Sequence, residues 1–125
     1  IDALNSAGGG SSSTSAKAIN AGGGATGSFS ADAGYSGGNT YSVTNTITTS
    51  GVTNAAPAAV YQSERYGNVT YTISGLTANG AHTVRLHFCE LYWTASGQRK
   101  FNVSINGGSV LSNFDIFADA GARFK

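Results

Sequence analysis

Three stretches of the chain alternate apolar and polar residues with a period of two, and no stretch carries the period of a helix. Val69, Tyr71 and Ile73 are separated by Thr70 and Thr72. Val84, Leu86 and Phe88 are separated by Arg85 and His87, and Phe101, Val103 and Ile105 by Asn102 and Ser104. Successive side chains of a strand point to opposite faces, so this alternation predicts half-buried antiparallel strands. Turn formers stand between them at Ala78-Asn79-Gly80 and Asn106-Gly107-Gly108, where Asn-Gly favours tight hairpins. Gly, Ser, Thr and Asn make up close to half the chain. The alanines sit in Gly- and Ser-flanked clusters without a periodic apolar partner, so long helices are not expected. The predicted fold is all-β, an antiparallel β-sandwich of jelly-roll type.

A chain of 125 residues is one domain at most. Residues 5–16 read as a Gly/Ser linker behind a strand-like scrap, Ile1-Asp2-Ala3-Leu4. That divides the chain into 1–16 and a folded unit over 17–125. A Gly-rich loop is expected over 31–40 and a second loop over 51–59, punctuated by Pro57. The first four residues carry neither the charged nor the apolar region of a leader. No apolar run reaches the ~18 residues of a membrane span. Charged residues are 10% of the chain and the seven Lys and Arg are scattered, which argues against nucleic acid as a partner. Cys89 is the single cysteine, so no disulfide forms within the chain. The composition suits a secreted or cell-surface protein.

Little in the sequence suggests catalysis. Glycosidases need two carboxylates flanking one bond. Asp2, Asp32, Glu64, Glu90, Asp115 and Asp119 are better read as salt-bridge partners, with Arg65 or Arg85 opposite one of them. His82 and His87 differ by five positions and face opposite sides of a strand, and no Gly-x-Ser-x-Gly elbow is present. Cys89 with His87 falls short of a zinc ligand set. No cofactor is expected. Asp32 beside Gly-loop carbonyls offers the oxygen donors calcium takes, a pattern too general to assign a site. Asn68-Val69-Thr70 and Asn102-Val103-Ser104 fit the N-glycosylation pattern, but both lie within predicted strands.

The aromatic residues carry more. Tyr35 stands in a Gly-rich stretch, Tyr66 follows Glu64-Arg65, and Tyr92-Trp93 precede the polar run Thr94 to Gln98. In an extended chain Tyr92 and Trp93 would point to opposite faces, so both cannot enter one core. Aromatic residues on polar loops suit a sugar, whose C–H faces stack on rings while its hydroxyls pair with polar groups.

Several segments together resemble the malectin domain, also classed as carbohydrate-binding module family 57. They are Ala18-Ile19-Asn20-Ala21-Gly22-Gly23, Asp32-Ala33-Gly34-Tyr35 and Val60-Tyr61-Gln62-Ser63-Glu64-Arg65-Tyr66. Val84 to Trp93, Phe101 to Gly107 and Asn113-Phe114-Asp115-Ile116-Phe117 follow. Order and spacing agree over about residues 17–121. The resemblance implies a β-sandwich that binds oligosaccharide, a glucose-capped N-glycan in the animal member, without cleaving it. It implies that Tyr35, Tyr66, Tyr92 and Trp93 form the sugar platform, with Trp93 standing where the animal protein has Phe. Glu90 and Arg65 are candidate hydroxyl partners. An Asp-Asn-Pro segment that carries another binding residue of the family is absent before Lys125, as are the family's terminal strands. The chain is therefore expected to be a fragment of a longer secreted or surface protein, or a sandwich completed by another chain. The alternative function is a structural or adhesive subunit that assembles through exposed strand edges, with Ile1-Asp2-Ala3-Leu4 as a donor strand.

Overall fold

The computed structural model describes residues 16–125. The scrap and nearly all of the linker, and with them the candidate donor strand, lie outside the described residues. In chain order the elements are β1 (Ile19–Asn20), β2 (Ser30–Ala31), β3 (Tyr35–Ser42), α1 (Ala58–Tyr61), β4 (Ser63–Tyr71), β5 (Phe101–Ile105), β6 (Gly108–Phe114) and α2 (Ile116–Ala120). The fold is all-β with two short helices. The two long ladders, β3–β4 and β5–β6, are antiparallel, and β1–β2 is a two-residue parallel pair.

The β3–β4 ladder runs from Tyr35 opposite Tyr71 to Ser42 opposite Ser63. It corrects the expectation of a Gly-rich loop over 31–40, most of which is strand. The glycines are there for a bulge. Gly37 pairs with Val69 and Asn39 with Tyr66, so Gly38 alone stands against two residues, Gly67 and Asn68. Gly38 has φ +74, and a Cβ there would stand 2.9 Å from Arg65 Cγ and 3.0 Å from the Tyr66 carbonyl oxygen. Only glycine meets both demands cheaply.

The β5–β6 hairpin forms as expected. Its turn residues Asn106 and Gly107 have φ 50 and 81, the pair of positive angles a type I′ turn requires. A turn also forms at Ala78–Asn79, with the Gly80 N–H donating to Thr77 O at 3.3 Å, but it does not join two paired strands.

The expected strand over Val84–Phe88 has no ladder partner among the described residues. Its alternation is real but both faces point inward. His87, Cys89 and Leu91 are buried, and Cys89 and Leu91 join the main core of Phe29, Ile47, Ala56, Val60 and Tyr61. The polar His87 sits inside because Tyr61 Oη lies 2.8 Å from its Nδ1, and the Tyr61 hydroxyl accepts the Ala56 N–H. Burial, then the charge of Arg85, lowers the His87 pKa. Val84, Leu86 and Phe88, with Arg85 and His87 between them, line an open groove of about 960 Å³ together with Ile105, Leu111 and Phe114. Phe88 stacks there on Phe101 and Phe114, with ring centroids 5.2 and 5.6 Å away.

Candidate functional site

The register of β3 and β4 decides which side chains meet. Tyr41 pairs with Glu64 and Asn39 with Tyr66, and residues directly opposite or two apart share a face. Tyr41, Glu64 and Tyr66 therefore project from one face. Arg65 lies between Glu64 and Tyr66 and points from the other. This separates two residues that sequence reasoning had joined.

The face of Tyr41, Glu64 and Tyr66 forms one wall of a pocket of about 300 Å³, completed by Tyr92, Trp93 and Arg99. The second wall is the segment after Leu91. Glu90 is fully buried and shapes it. Glu90 Oε2 accepts the backbone N–H of Tyr92 at 3.0 Å and of Trp93 at 3.2 Å, while Oε1 accepts Arg99 Nε at 2.8 Å. Two consecutive N–H groups turned toward one oxygen break the extended geometry. Tyr92 and Trp93 thus both face the pocket, edge-on to each other with centroids 4.9 Å apart. Tyr41 meets Tyr92 edge-on at 5.7 Å.

The loop that follows is tied down. The Thr94 N–H donates to Gln98 Oε1 at 3.1 Å, and the Gly97 N–H donates to Asp115 Oδ2. Asp115 is the N-cap of α2, accepting the Ala118 N–H at 3.0 Å through Oδ1. Those N–H groups hold its carboxyl below the usual range. The Phe114-Asp115-Ile116-Phe117 segment thus acts by bracing the Trp93 loop. Arg123 and Phe124 add a second brace, Arg123 donating to Tyr92 O at 3.3 Å and the Phe124 N–H to Glu90 O at 3.0 Å.

Arg99 is the one cation among the residues lining the pocket, and two carboxylates share it. Its Nη2 stands 3.5 Å from Glu64 Oε1, and its Nε is spent on Glu90. Burial, and secondarily the nearby Glu90 charge, raises the Glu64 pKa against the opposing pull of Arg99. Exposed rings, a carboxylate and a guanidinium in one small concavity can stack on a flat C–H face and pair with hydroxyls. The volume lies at the small end of the roughly 300–1,000 Å³ of ligand pockets, suited to one or two rings.

Of the residues singled out from sequence, the structure brings Tyr66, Tyr92 and Trp93 together. Glu90 lies beneath the pocket, holding the turn. Tyr35 and Arg65 lie on the opposite face of β3–β4. There Arg65 stacks over the Tyr35 ring at 3.5 Å, and its Nε and Nη2 both stand 2.8 Å from Asp32 Oδ2. The expected ion pair of Arg65 with a carboxylate is this one. Tyr71 Oη donates to Asp32 Oδ1 at 2.7 Å, and burial, then that bond, pushes the Tyr71 pKa up. Both oxygens of Asp32 are engaged within the protein, which leaves the suggested calcium donor little to offer. Among the described residues no group of three or more His, Cys, Asp or Glu is placed to hold a metal.

Tyr41, Glu64 as a pocket residue, and Arg99 were missed. Period two across Ser63-Glu64-Arg65-Tyr66 was the available signal, since it puts Glu64 with Tyr66 and sets Arg65 apart.

A model of the malectin domain family matches residues 15–125. A probable receptor-like protein kinase of Arabidopsis thaliana is 39% identical over 79 residues, which is 56% of this chain and 9% of the kinase. Human malectin is 33% identical over 69 residues, 54% of this chain and 24% of that protein. Malectin-B of Xenopus laevis is 30% identical over 69 residues, again 54% of this chain and 25% of that protein. The matched segments thus span a quarter or less of these relatives. No solved structure is significantly similar to the chain.

Proposed function

The chain belongs to the malectin domain family, and from that premise we propose that it is a noncatalytic carbohydrate-binding module. The observation that carries the reading is the pocket itself: Tyr41, Tyr66, Tyr92 and Trp93 around Glu64 and Arg99. Its ligand is an oligosaccharide, with glucose-containing glycans the first to test. The side chains support binding over cleavage. Two carboxylates that cleave a glycoside must both reach the bond, and Glu90 is sealed beneath Tyr92 and Trp93 with both oxygens engaged. The module is read as part of a larger secreted or cell-surface protein, a setting consistent with the receptor-like kinase among its relatives. Among the described residues no helix is long and apolar enough to cross a membrane.

Trp93 is the only tryptophan, so its fluorescence reports the pocket. Titration with glucose-, galactose- and xylose-based oligosaccharides should give a saturable change with at least one class, lost in Tyr92→Ala. A flat response from folded protein across all three would count against the reading.

A second reading rests on the groove along Val84–Phe88. An extended apolar segment laid there would give Val84–Phe88 a ladder partner, which it does not have among the described residues, as in β-strand addition. A neighbouring chain supplying that strand would make the domain an assembly unit. Sugar-independent oligomers in sedimentation, abolished by deleting residues 1–6, would support it. A monomer whose stability ignores that deletion would reject it.

A further inference from the structure

Resting on the carbohydrate reading, we infer that the pocket selects uncharged sugars and turns away uronic acids, with Glu64 as the residue that sets this preference. Among the described residues the charges of the pocket do not balance. Glu64 and Glu90 share the single guanidinium of Arg99, an excess of one negative charge when both are ionised. Glu90 takes Arg99 Nε at 2.8 Å and Glu64 faces Nη2 at 3.5 Å, so the cation is committed on two sides before any ligand enters.

A carboxylate ligand is recognised by unspent guanidinium or N–H donors, preferably in a bidentate pair. The backbone N–H groups of Tyr92 and Trp93, both residues that line the pocket, are already donated to Glu90. Arg123 lies close by, but its guanidinium is laid over the Phe124 ring and bonded to Tyr92 O, outside the pocket lining. A uronate could pair with both terminal nitrogens of Arg99 only by competing with Glu64 for Nη2, and would meet the Glu64 carboxylate within a cavity of about 300 Å³. A partly buried like-charge pair is repelled more strongly than one in water. A neutral pyranose meets the same carboxylate as a hydroxyl donor. Among the described residues Glu64 Oε2 accepts no hydrogen bond, its sister Oε1 being the oxygen toward Arg99.

The test pairs each neutral oligosaccharide with its acidic counterpart: glucose oligomers against oligoglucuronates, and galactose oligomers against oligogalacturonates. Both are titrated into the full chain with Trp93 fluorescence as readout. The neutral member should bind at least about tenfold tighter. Glu64→Gln, checked for folding by circular dichroism, should narrow that ratio. Raising the salt on the unaltered protein should narrow it as well, which keeps the test open where the variant fails to fold. An acidic member binding as tightly as its neutral twin, or a ratio unmoved by both manipulations, overturns the inference while leaving sugar binding intact. Silence in every arm removes the carbohydrate reading and this inference together.

Discussion

The two faces of the β3–β4 ladder carry almost the same chemistry and are put to opposite uses. One holds Tyr35, Tyr71, Arg65 and Asp32; the other holds Tyr41, Tyr66, Arg99 and Glu64. On the first face the groups satisfy each other. Arg65 lies flat on Tyr35, Asp32 takes both Arg65 and Tyr71, and the Arg65 and Asp32 side chains are each only 9% exposed. On the second face Glu64 and Arg99 approach only to 3.5 Å, and the Glu90 turn sets Tyr92 and Trp93 as an opposing wall. Tyr41, Tyr66 and Tyr92 remain 37%, 41% and 53% exposed around an open volume. Aromatic, carboxylate and guanidinium groups become a site only where neighbouring backbone keeps them from closing on one another.

The largest change should come from removing what holds the second face open. Glu90→Ala leaves the Tyr92 and Trp93 N–H groups without their acceptor and strips Arg99 of its closer partner. Breaking a buried ion pair by deleting one member costs about 3–5 kcal/mol. Arg99 retains some solvent, so about 3 kcal/mol is expected in urea denaturation, with loss of the sugar-induced Trp93 signal. A variant as stable as the parent and still competent to bind would show that the turn does not depend on Glu90.

A crossed pair of variants tests whether the two faces are functionally separate. Tyr92→Ala should weaken sugar binding by about 2 kcal/mol, in the range of an interface anchor, and barely change the melting temperature. Asp32→Ala should lower the melting temperature clearly, because it releases Arg65 and Tyr71 together. Its sugar affinity should stay within roughly twofold of the parent. Isothermal titration and calorimetry on both proteins decide the matter. A joint loss of affinity and stability in either one would merge the faces.

Much of this contrast was out of reach of the sequence for a physical reason. β5 and the β5–β6 hairpin are written in local alternation and in Asn106-Gly107, so they were legible, whereas the run Val69 to Ile73 marks only the last three residues of β4. Tyr66, Tyr92 and Trp93 were legible as aromatics beside polar loops. Tyr41 stands against Glu64 in a register offset by the bulge of Gly67-Asn68 opposite Gly38, a pairing no local pattern reports. The same glycines made β3 look like a loop. Glu90 and Arg65 were judged by type, as hydrogen-bonding groups near aromatics, when burial in one case and strand parity in the other decides what they touch. Arg99 lies nine residues beyond Glu90 on an irregular loop, with no periodicity to aim it.

Gly38→Ala perturbs both faces through that register. The new methyl group meets Arg65 Cγ and the Tyr66 carbonyl oxygen at φ +74, so a left-handed penalty of about 1–2 kcal/mol is expected, plus displacement of Arg65. Tyr66 borders the bulge, so sugar affinity should fall together with stability in this variant. Unchanged affinity would mean that the pocket tolerates a shift of its Tyr66 wall.

The smallest effect concerns the tension left in the open face. Burial raises the Glu64 carboxyl above its ordinary 4.5, with Arg99 only partly opposing. The folded chain then holds the Glu64 proton more tightly than the unfolded chain does. Proton linkage makes the corresponding stability fully present below about pH 4.5 and progressively lost as pH rises through the folded value. Glu64→Gln carries no such proton and keeps Arg99 paired with Glu90. The stability of the parent relative to Glu64→Gln should therefore decline from acid toward neutral pH, measured by urea denaturation at each pH. The same substitution relaxes the preference against uronic acids, so a more stable variant at neutral pH would also be a less selective one. A parent that gains on Glu64→Gln as pH rises would mean that Arg99 outweighs burial, and the open face would then be as well compensated as the closed one.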